Sequence, residues 1–408
     1  MPETNHKPVQ LALIGAGLFT KDAYVPLLRR ACSQNFVQQL PSTQVILKLV
    51  AWNCRRHAST VQICAVWSRS AKATDILLPL IQEFAPNVKG FHGDDQLDKL
   101  LRDPNVDAVA VVLPVQVMLQ VAQKCLKAGK HVLQEKPVAQ SVEVVNRAIK
   151  DFHQLSQQPV WALAENYRSE QGFHKACQMM HELETIIKLD LVADMPMNSS
   201  NKYFGSQWRR DAKGCPGGFV MDSCVHHIAA LRALGTAAGL GQVTEASASA
   251  LSLSEELPPP DTLVGAVKFA SGTPASLSIT FAGSVLRFSL SVTGTKGSLE
   301  VLRGGWEGGE PGYKLSYQTA TSNGSKVEHF PFSGLDDELT AFIHQVNQSN
   351  GSTATPADAA YADAVYRTSL EEGARDLAVI EALLQSSQSA SKTIQVVEVP
   401  SRSSSQPC

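Results

Sequence analysis

The stretch Val9-Gln-Leu-Ala-Leu-Ile-Gly-Ala-Gly-Leu-Phe-Thr20 places a short apolar run directly before a glycine-rich turn. A helical pattern follows over about Lys21–Arg30, so the order is strand, turn, helix. In this order Gly15 allows a tight turn, and Gly17 lets backbone N–H groups approach a pyrophosphate at the positive end of the helix. Thr20 replaces the third glycine of the usual pattern. From this stretch alone, a purely structural turn is as well supported as a cofactor site.

Strand-like and helix-like segments alternate from this turn to about residue 165. The run Val106–Leu113 is almost entirely apolar, which is typical of a parallel strand covered on both faces. Lys130–Lys136 and Val160–Glu165 supply two further strands with helical patterns between them. The alternation predicts a doubly wound parallel sheet.

Two apolar runs compete for the second strand of this sheet, Val45–Trp52 and Val61–Trp67. We choose the later run, because Ser68-Arg69-Ser70 and a helical pattern follow it directly. Residues 34–60 are then an insertion: an extra edge strand, a surface loop or a sequence artefact.

The pattern changes in the second half of the chain. Several β-like runs separated by Gly, Pro, Ser and Asn occupy Gln242–Phe332 and predict a large antiparallel sheet. Helical patterns return at about Leu335–Val346 and Ala359–Leu384. The stretch after Leu384 is rich in serine and is predicted to be disordered.

These patterns predict an α/β fold with two domains. Residues 1–166 form an N-terminal Rossmann domain with a doubly wound parallel sheet, and 167–384 form a C-terminal α+β domain with a large, mostly antiparallel open sheet. Residues 385–408 form the tail. A chain of 408 residues is long enough for two separate cores.

Composition excludes several classes of protein. The net charge of −2 and the lack of a Lys/Arg cluster argue against binding to nucleic acid or to a membrane surface. The N-terminus is polar with no signal-peptide core, so we expect a cytoplasmic protein. Eight scattered cysteines without a CxxC pair match neither a disulfide framework nor a zinc finger.

The end of the second strand bears on the choice of cofactor. An acidic residue at this position would hold a ribose 2′-hydroxyl and repel a 2′-phosphate. The sequence has Ser68 with Arg69 next to it, and a guanidinium can bind a phosphate through paired hydrogen bonds. NADP(H) is therefore favoured over NAD(H), although NAD is possible.

Lys136 is the first catalytic candidate. It ends a strand at the carboxyl edge of the predicted sheet, where α/β enzymes place their chemistry. Glu135 supplies a nearby charge and Pro137 fixes the backbone, which are conditions that suit a general acid/base lysine. Taken alone, Glu-Lys-Pro is better explained as an ordinary polar turn.

A second group of candidates lies in a glycine-rich turn and the helix after it, over Gly214–Leu234. Asp222 and His226 are four residues apart, so on a helix they share one face and are typical of a proton-handling pair. Cys224 and His227 cannot share that face, so we predict no metal site.

With both groups in view, the chain resembles the glucose–fructose oxidoreductase / inositol dehydrogenase / rhizopine-catabolism family, Gfo/Idh/MocA. The resemblance runs from about Val9 to Leu384 and excludes residues 34–60. It rests on five motifs: Gly15-x-Gly17, Ser68-Arg69, Glu135-Lys136-Pro137, Trp208-Arg209 and Gly217-Gly218-x-x-x-Asp222-x-x-x-His226.

The resemblance implies an NADP-dependent oxidoreductase that transfers a hydride between nicotinamide and a secondary alcohol or ketone, of a sugar, polyol or related small molecule. Lys136 and His226 would exchange the substrate hydroxyl proton, while Asp222 orients and polarises them. The C-terminal sheet would form a homo-oligomer, a dimer or tetramer. The implied cofactor contacts are Gly15, Gly17, Leu18, Ser68, Arg69, Leu113, Pro114, Glu135, Lys136, Asn166, Trp208 and Arg209.

The chain also departs from the family pattern. Cys224 stands at a position that is usually glycine, Ala229 at one that is usually aspartate, and Pro216 begins what is usually a triple glycine. These changes leave the proton-transfer residues intact but reshape the substrate pocket. A catalytically silent NADP(H)-binding redox sensor or scaffold protein is the alternative function.

Overall fold

The structure is a computed structural model that describes residues 7–32, 61–304, 309–320, 324–350 and 359–400. Two sheets organise the described residues, one with six strands and one with nine. The proposed insertion at 34–60 lies outside the described residues.

The first sheet is parallel throughout and has the strand order β3-β2-β1-β4-β5-β6. This is the strand order of a dinucleotide-binding fold. Strands β2 and β3 are added on one side of β1, and β4 to β6 are added on the other. Its strands are β1 Val9–Ile14, β2 Val61–Ser68, β3 Lys89–His92, β4 Ala108–Val111, β5 His131–Glu135 and β6 Trp161–Ala164.

The register confirms the choice of the later run as the second strand, because Val61 pairs with Val9 at the start of β1. The central strands are apolar for the reason the sequence suggested. Every residue of β4 is fully buried, since helices cover both faces of the sheet.

In the described parts of the chain, five α-helices connect these strands. None of the helices in the described parts of the chain has both the length and the apolar character needed to span a bilayer. The connecting helices are α1 Val25–Cys32, α2 Ala71–Gln82, α3 Asp94–Arg102, α4 Val115–Lys127 and α5 Val142–His153.

The second sheet has the order β14-β13-β12-β11-β7-β10-β9-β8-β15. All of its pairs are antiparallel except the pair of β7 with β10. The predicted large, mostly antiparallel sheet is therefore confirmed. Its strands are β7 Ile186–Asp194, β8 Val243–Leu251, β9 Thr262–Phe269, β10 Pro274–Thr280, β11 Arg287–Gly294, β12 Gly297–Gly304, β13 Gly312–Thr319, β14 Lys326–Pro331 and β15 Ile394–Gln395.

One face of the second sheet packs on two helices, α6 Gln171–Met179 and α7 Phe219–Ala237. Most of α7 is buried, because the sheet covers one side and helices from the end of the chain cover another. The helix is thus fixed between the two halves of the protein, and its first turns face the first sheet.

The last helices of the chain return to the first sheet, which the sequence did not reveal. They are α8 Gly334–Ser349, α9 Ala359–Arg367 and α10 Leu370–Gln388. Phe342 of α8 and Leu377 of α10 lie in the two apolar clusters that cover the first sheet. The Thr368 carbonyl accepts the Leu163 N–H of β6 at 2.7 Å. The two halves therefore share their cores.

Two expectations for the end of the chain are wrong. The helix predicted over Ala359–Leu384 is two helices, interrupted at Thr368, with Ser369 capping the second. The predicted disorder after Leu384 does not hold over residues 385–400. The helix continues to Gln388, and Ile394 then pairs with β8 and packs against the second core. Ile394 and Val396 pack against the second core, so this segment is ordered despite its serine-rich composition.

Candidate functional site

The glycine turn after β1 has the geometry that a dinucleotide needs. Gly15 has φ +123°, and a Cβ added there would lie 2.1 Å from the Val112 carbonyl oxygen, so only glycine fits. Gly17 has no atom within 4 Å of an added Cβ, so its backbone faces open space that a phosphate can enter. Leu18, the next predicted contact, is 43% exposed. These residues fit a dinucleotide.

Thr20, at the position of the missing third glycine, is fully buried, and its hydroxyl has no hydrogen-bond partner among the described residues. The structure shows a π-helical turn over Thr20–Tyr24 before the α-helix begins at Val25. In the usual pattern a glycine at this position lets the helix pack closely on the sheet. Here a wider π-helical turn precedes the α-helix instead.

At the end of β2, Ser68 is buried and Arg69 is exposed. Arg69 forms no hydrogen bond or ion pair with the described part of the chain, so its guanidinium is available to a ligand. No acidic side chain occupies the ribose position on this strand.

The other predicted cofactor residues lie at the same edge of the first sheet. Leu113 and Pro114 follow β4, and Pro114 caps α4. Asn166 begins a 3-10 turn directly after β6. The Trp208 carbonyl accepts a 2.7 Å hydrogen bond from Gln116 of α4, which brings the loop of the second half to this edge. Their contacts with a cofactor stay predictions.

Lys136 and Asp222 meet across the two halves of the chain. The Lys136 amine donates to the Asp222 carboxylate Oδ1 at 3.1 Å and to the Asp222 backbone carbonyl at 2.9 Å. Arg209 approaches the same carboxylate from the other side, with Nε 2.7 Å from Oδ2. One buried carboxylate therefore holds two cations.

The charge of Asp222 is held by these partners. Burial would raise the pKa of its carboxyl, but Lys136 and Arg209 outweigh that effect and lower the pKa to about 2. The Arg209 guanidinium also lies 4.1 Å from the centre of the Trp208 ring. Arg209 thus contacts both Trp208 and Asp222, and the contact of Trp208 and Arg209 with a cofactor stays a prediction.

His226 lies one turn after Asp222 on α7, as the spacing predicted, but the predicted pairing is wrong. Its Nδ1 lies 2.6 Å from Oε1 of Glu165, at the end of β6. Asp222 is instead engaged by the two cations, Lys136 and Arg209. Lys136 and His226 are therefore held by two different carboxylates.

His227 follows His226 on α7 but cannot share the helix face of Asp222 and His226. It is buried, and both ring nitrogens lack partners among the described residues. Burial lowers the pKa of His227 well below its ordinary value, so the ring is neutral. It packs as an aromatic group beside Tyr167 and Phe288.

Glu135 accepts a hydrogen bond from the backbone of Lys136 and so helps to fix its position. Its Oε2 accepts the Lys136 backbone N–H at 3.1 Å, and its Oε1 accepts the Tyr24 hydroxyl at 2.9 Å. Burial raises the pKa of Glu135 to about 7, although Lys136 and the Tyr24 hydrogen bond oppose this. Glu338 of α8 is also buried, and burial followed by repulsion from Glu135 raises its pKa well above the ordinary value.

Sequence reasoning missed Glu165, Tyr24 and Glu338. A signal was present for Glu165, which ends an apolar strand as Glu135 does, one strand further along the sheet. Carboxyl ends of adjacent parallel strands meet at one edge. Tyr24 and Glu338 had no comparable signal, because each reaches the site from a helix with an ordinary pattern.

A cavity of about 510 Å³ lies elsewhere in the first half, lined by residues such as Gln10, Gln62 and Val88. Gln10 and Gln62 are near the amino ends of their strands, whereas Lys136 follows the carboxyl end of β5. The cavity is therefore not the site of the proposed chemistry.

Comparison with known proteins is consistent across the chain. A family profile described as "Oxidoreductase family, NAD-binding Rossmann fold" matches residues 9–161. A second, "Oxidoreductase family, C-terminal alpha/beta domain", matches residues 181–396. The dehydrogenase FPY6 of Fusarium mangiferae is 26% identical over 385 residues, which cover 93% of this chain and 96% of that protein.

Solved structures show the same fold. KijD10, a 3-ketoreductase from Actinomadura kijaniata in complex with NADP, superposes with a TM-score of 0.67 at 15% identity, covering 93% of this chain and 98% of that one. The WlbA dehydrogenase of Bordetella pertussis, in complex with NADH and UDP-GlcNAcA, gives 0.68 at 16% identity, with coverage of 96% and 100%.

The raised pKa of Glu135 predicts a pH dependence of stability. A buried carboxyl with a folded-state pKa of about 7 contributes stability that is present below its ordinary pKa of 4.5 and is lost as pH rises through 7. Glu135→Gln removes this dependence. Between pH 5 and pH 8 we expect the unfolding free energy of the variant to gain about 2 kcal/mol relative to the wild type.

Urea unfolding at the two pH values measures this difference. The exposed Glu143→Gln serves as the control and should follow the wild type at both. A Glu135→Gln variant that runs parallel to the wild type from pH 5 to pH 8 would show that Glu135 is ionised throughout.

Proposed function

The chain belongs to the Gfo/Idh/MocA oxidoreductase family, and from that premise we propose that it is an NADP-dependent oxidoreductase acting on a secondary alcohol or ketone. The substrate class is a sugar, polyol or related small molecule. The observation that carries the proposal is the contact of Lys136, at the end of a Rossmann strand, with Asp222, one turn before His226. This contact joins a proton-handling group to the edge where a nicotinamide would bind.

A nicotinamide dinucleotide, when bound, accepts or supplies the hydride. The remaining work is the transfer of one proton. An ammonium has three N–H donors, and two of those of Lys136 are directed at Asp222 oxygens. The third has no partner among the described residues and is available to a substrate oxygen. His226, on the same helix face as Asp222, is the second group that can exchange the hydroxyl proton.

The related proteins support the substrate class. FPY6 is a dehydrogenase, KijD10 is a 3-ketoreductase, and WlbA was crystallised with a nucleotide-linked sugar acid. Cys224 and Ala229 are both buried in α7. Both side chains pack inside the protein, so these two departures from the family pattern leave the polar groups at the site unchanged.

Arg69 supports NADP(H) over NAD(H). The structural neighbours bind either nucleotide, so fold similarity does not choose between them. Arg69 is exposed and unpaired within the described residues, at the strand end where a 2′-phosphate would lie. Ser68 beside it adds no negative charge.

Replacing Arg69 tests the nucleotide preference. Arg69→Ala should weaken NADPH binding about tenfold to a hundredfold, because a charge-assisted phosphate contact is lost. NADH binding should change little. Fluorescence titration measures both, with Arg102→Ala as an exposed arginine control in the same half. Equal losses for the two nucleotides would remove Arg69 from 2′-phosphate recognition.

Replacing Lys136 tests the mechanism. Lys136→Met keeps the length of the side chain but has no proton to exchange, so we expect kcat to fall by at least about 100-fold. NADPH affinity should stay within a few-fold. Oxidation of NADPH with a panel of ketones and aldehydes gives the assay, and Lys127→Met, at the exposed end of α4, is the control.

Two outcomes of this assay would contradict the proposal. Unchanged kcat in Lys136→Met would exclude Lys136 from proton transfer. If the wild-type protein binds NADPH tightly but none of the ketones and aldehydes in the panel supports its oxidation, the silent sensor or scaffold is favoured.

We also propose that the open face of the second sheet forms a homo-oligomer. Val192 of β7 is half-buried on the face away from the core, where its register partners are Ser278 and Ser289. Val192→Arg should shift the protein towards the monomer in analytical ultracentrifugation. Ile76→Arg, an exposed position on α2, should leave assembly unchanged. A wild-type protein that sediments as a monomer would overturn this proposal.

A further inference from the structure

The 3-10 turn Asn166–Ser169 and the residue before it hold His226 on two sides. Oε1 of Glu165 lies 2.6 Å from Nδ1 of the imidazole. The Tyr167 ring stacks on the imidazole with centroids 4.8 Å apart and planes 17° apart. One contact fixes an edge of the ring and the other fixes its plane.

Glu165 is itself fixed in position. Its side chain is 1% exposed, and Oε1 also accepts the Tyr167 backbone N–H at 3.2 Å. Burial would raise the pKa of Glu165, but attraction and hydrogen bonding to His226 outweigh it, so the pKa is lowered. A carboxylate acceptor in this place requires Nδ1 of His226 to be the protonated nitrogen.

Tyr167 is fixed as well. Its hydroxyl accepts a hydrogen bond from Arg303 of β12 at 2.6 Å, and its ring stacks on Phe173 at 5.6 Å. The second sheet therefore supports the ring that supports the imidazole. His226 cannot rotate without disturbing residues from both halves of the protein.

We propose that Glu165 and Tyr167 are positioning residues that set the tautomer and plane of His226 for proton exchange through Nε2. This inference rests on the proposed function. Nε2 forms no hydrogen bond with the described residues, and the side chain keeps 18% of its surface exposed, against 1% for Glu165. The open nitrogen is thus on the solvent side of the pair.

The assignment gives a balanced step. When an alcohol is oxidised, its O–H bond breaks, the proton moves to Nε2, and the hydride from the same carbon moves to oxidised nicotinamide. His226 becomes an imidazolium, and the Glu165 carboxylate stabilises that charge while keeping no proton of its own. Reduction of a ketone runs these transfers in reverse.

The first test does not depend on turnover. In protein labelled with ¹⁵N-histidine, His226 should show a protonated, downfield Nδ1–H and an unprotonated Nε2, assigned by its loss in His226→Asn. Glu165→Gln should remove this signature. Glu170→Gln should keep it, because Glu170 is equally buried but accepts from the Ser333 N–H. Absence of the signature in the wild type, or its survival in Glu165→Gln, would overturn the inference.

The second test uses kinetics in a double-mutant cycle. Glu165→Gln should lower kcat about 100-fold with KM changed less than about threefold, since it acts on the proton step alone. Added to His226→Asn, it should cost nothing further, because its effect passes through the ring. Full additivity of the two losses would show that Glu165 acts independently of His226.

Controls separate the possible failures. Glu170→Gln should retain wild-type kcat. If Glu165→Gln does not fold, Glu165→Asp keeps the charge one methylene further away and should retain the Nδ1–H signal with a smaller loss of kcat. A wild-type protein without turnover would contradict the proposed function, while the tautomer measurement would still decide the inference.

Discussion

The ion pair of Lys136 with Asp222 is the contact on which the rest of the site depends. The two residues are 86 positions apart, one after a strand of the first sheet and one in the helix that lies on the second. Both side chains are almost buried, at 13% and 8% exposure, and their contact joins the two halves of the chain at the edge of the first sheet. The same ion pair therefore serves both the packing of the two halves and the proposed proton transfer.

The buried carboxyls around this pair divide into two groups according to their partners. Asp222 and Glu165 each face a cationic or imidazole group, and the pKa of each is lowered despite burial. Among the described residues, Glu135 and Glu338 form no ion pair with a side chain, and burial raises the pKa of both. The two carboxylates with lowered pKa values are thus the partners of Lys136 and His226, the two groups proposed to exchange the proton. A site of this kind keeps its charges where a substrate oxygen would arrive.

Much of the fold could be predicted from the sequence, because the signals were local. Strand and helix periodicity gave the parallel sheet and favoured Val61–Trp67 as its second strand, and Gly15 marked the turn that only glycine can form. The return of the last helices to the first sheet could not be predicted, because an apolar helix face in the sequence does not show which element it packs against. Ile394 shows the same limit in the tail, where a short apolar pair outweighs a serine-rich composition.

The candidate site was predicted only in part, because only its local features could be found in the sequence. Spacing placed Asp222 and His226 on one helix face, but a shared face is not a contact. The full charges of Lys136 and Arg209 compete for Asp222, and Glu165 from another strand takes the imidazole. These partners come from distant parts of the chain, so only the tertiary structure reveals them.

We propose that an amine from the first half of the chain and an imidazole from the second act on one substrate oxygen. A crystal structure of the protein with NADP⁺ and a bound alcohol substrate tests it most directly. We predict Lys136 Nζ and His226 Nε2 both within about 3.2 Å of the same hydroxyl oxygen, a distance that allows direct proton transfer. A structure in which the two groups face different cavities, or only one reaches the substrate oxygen, would contradict the claim.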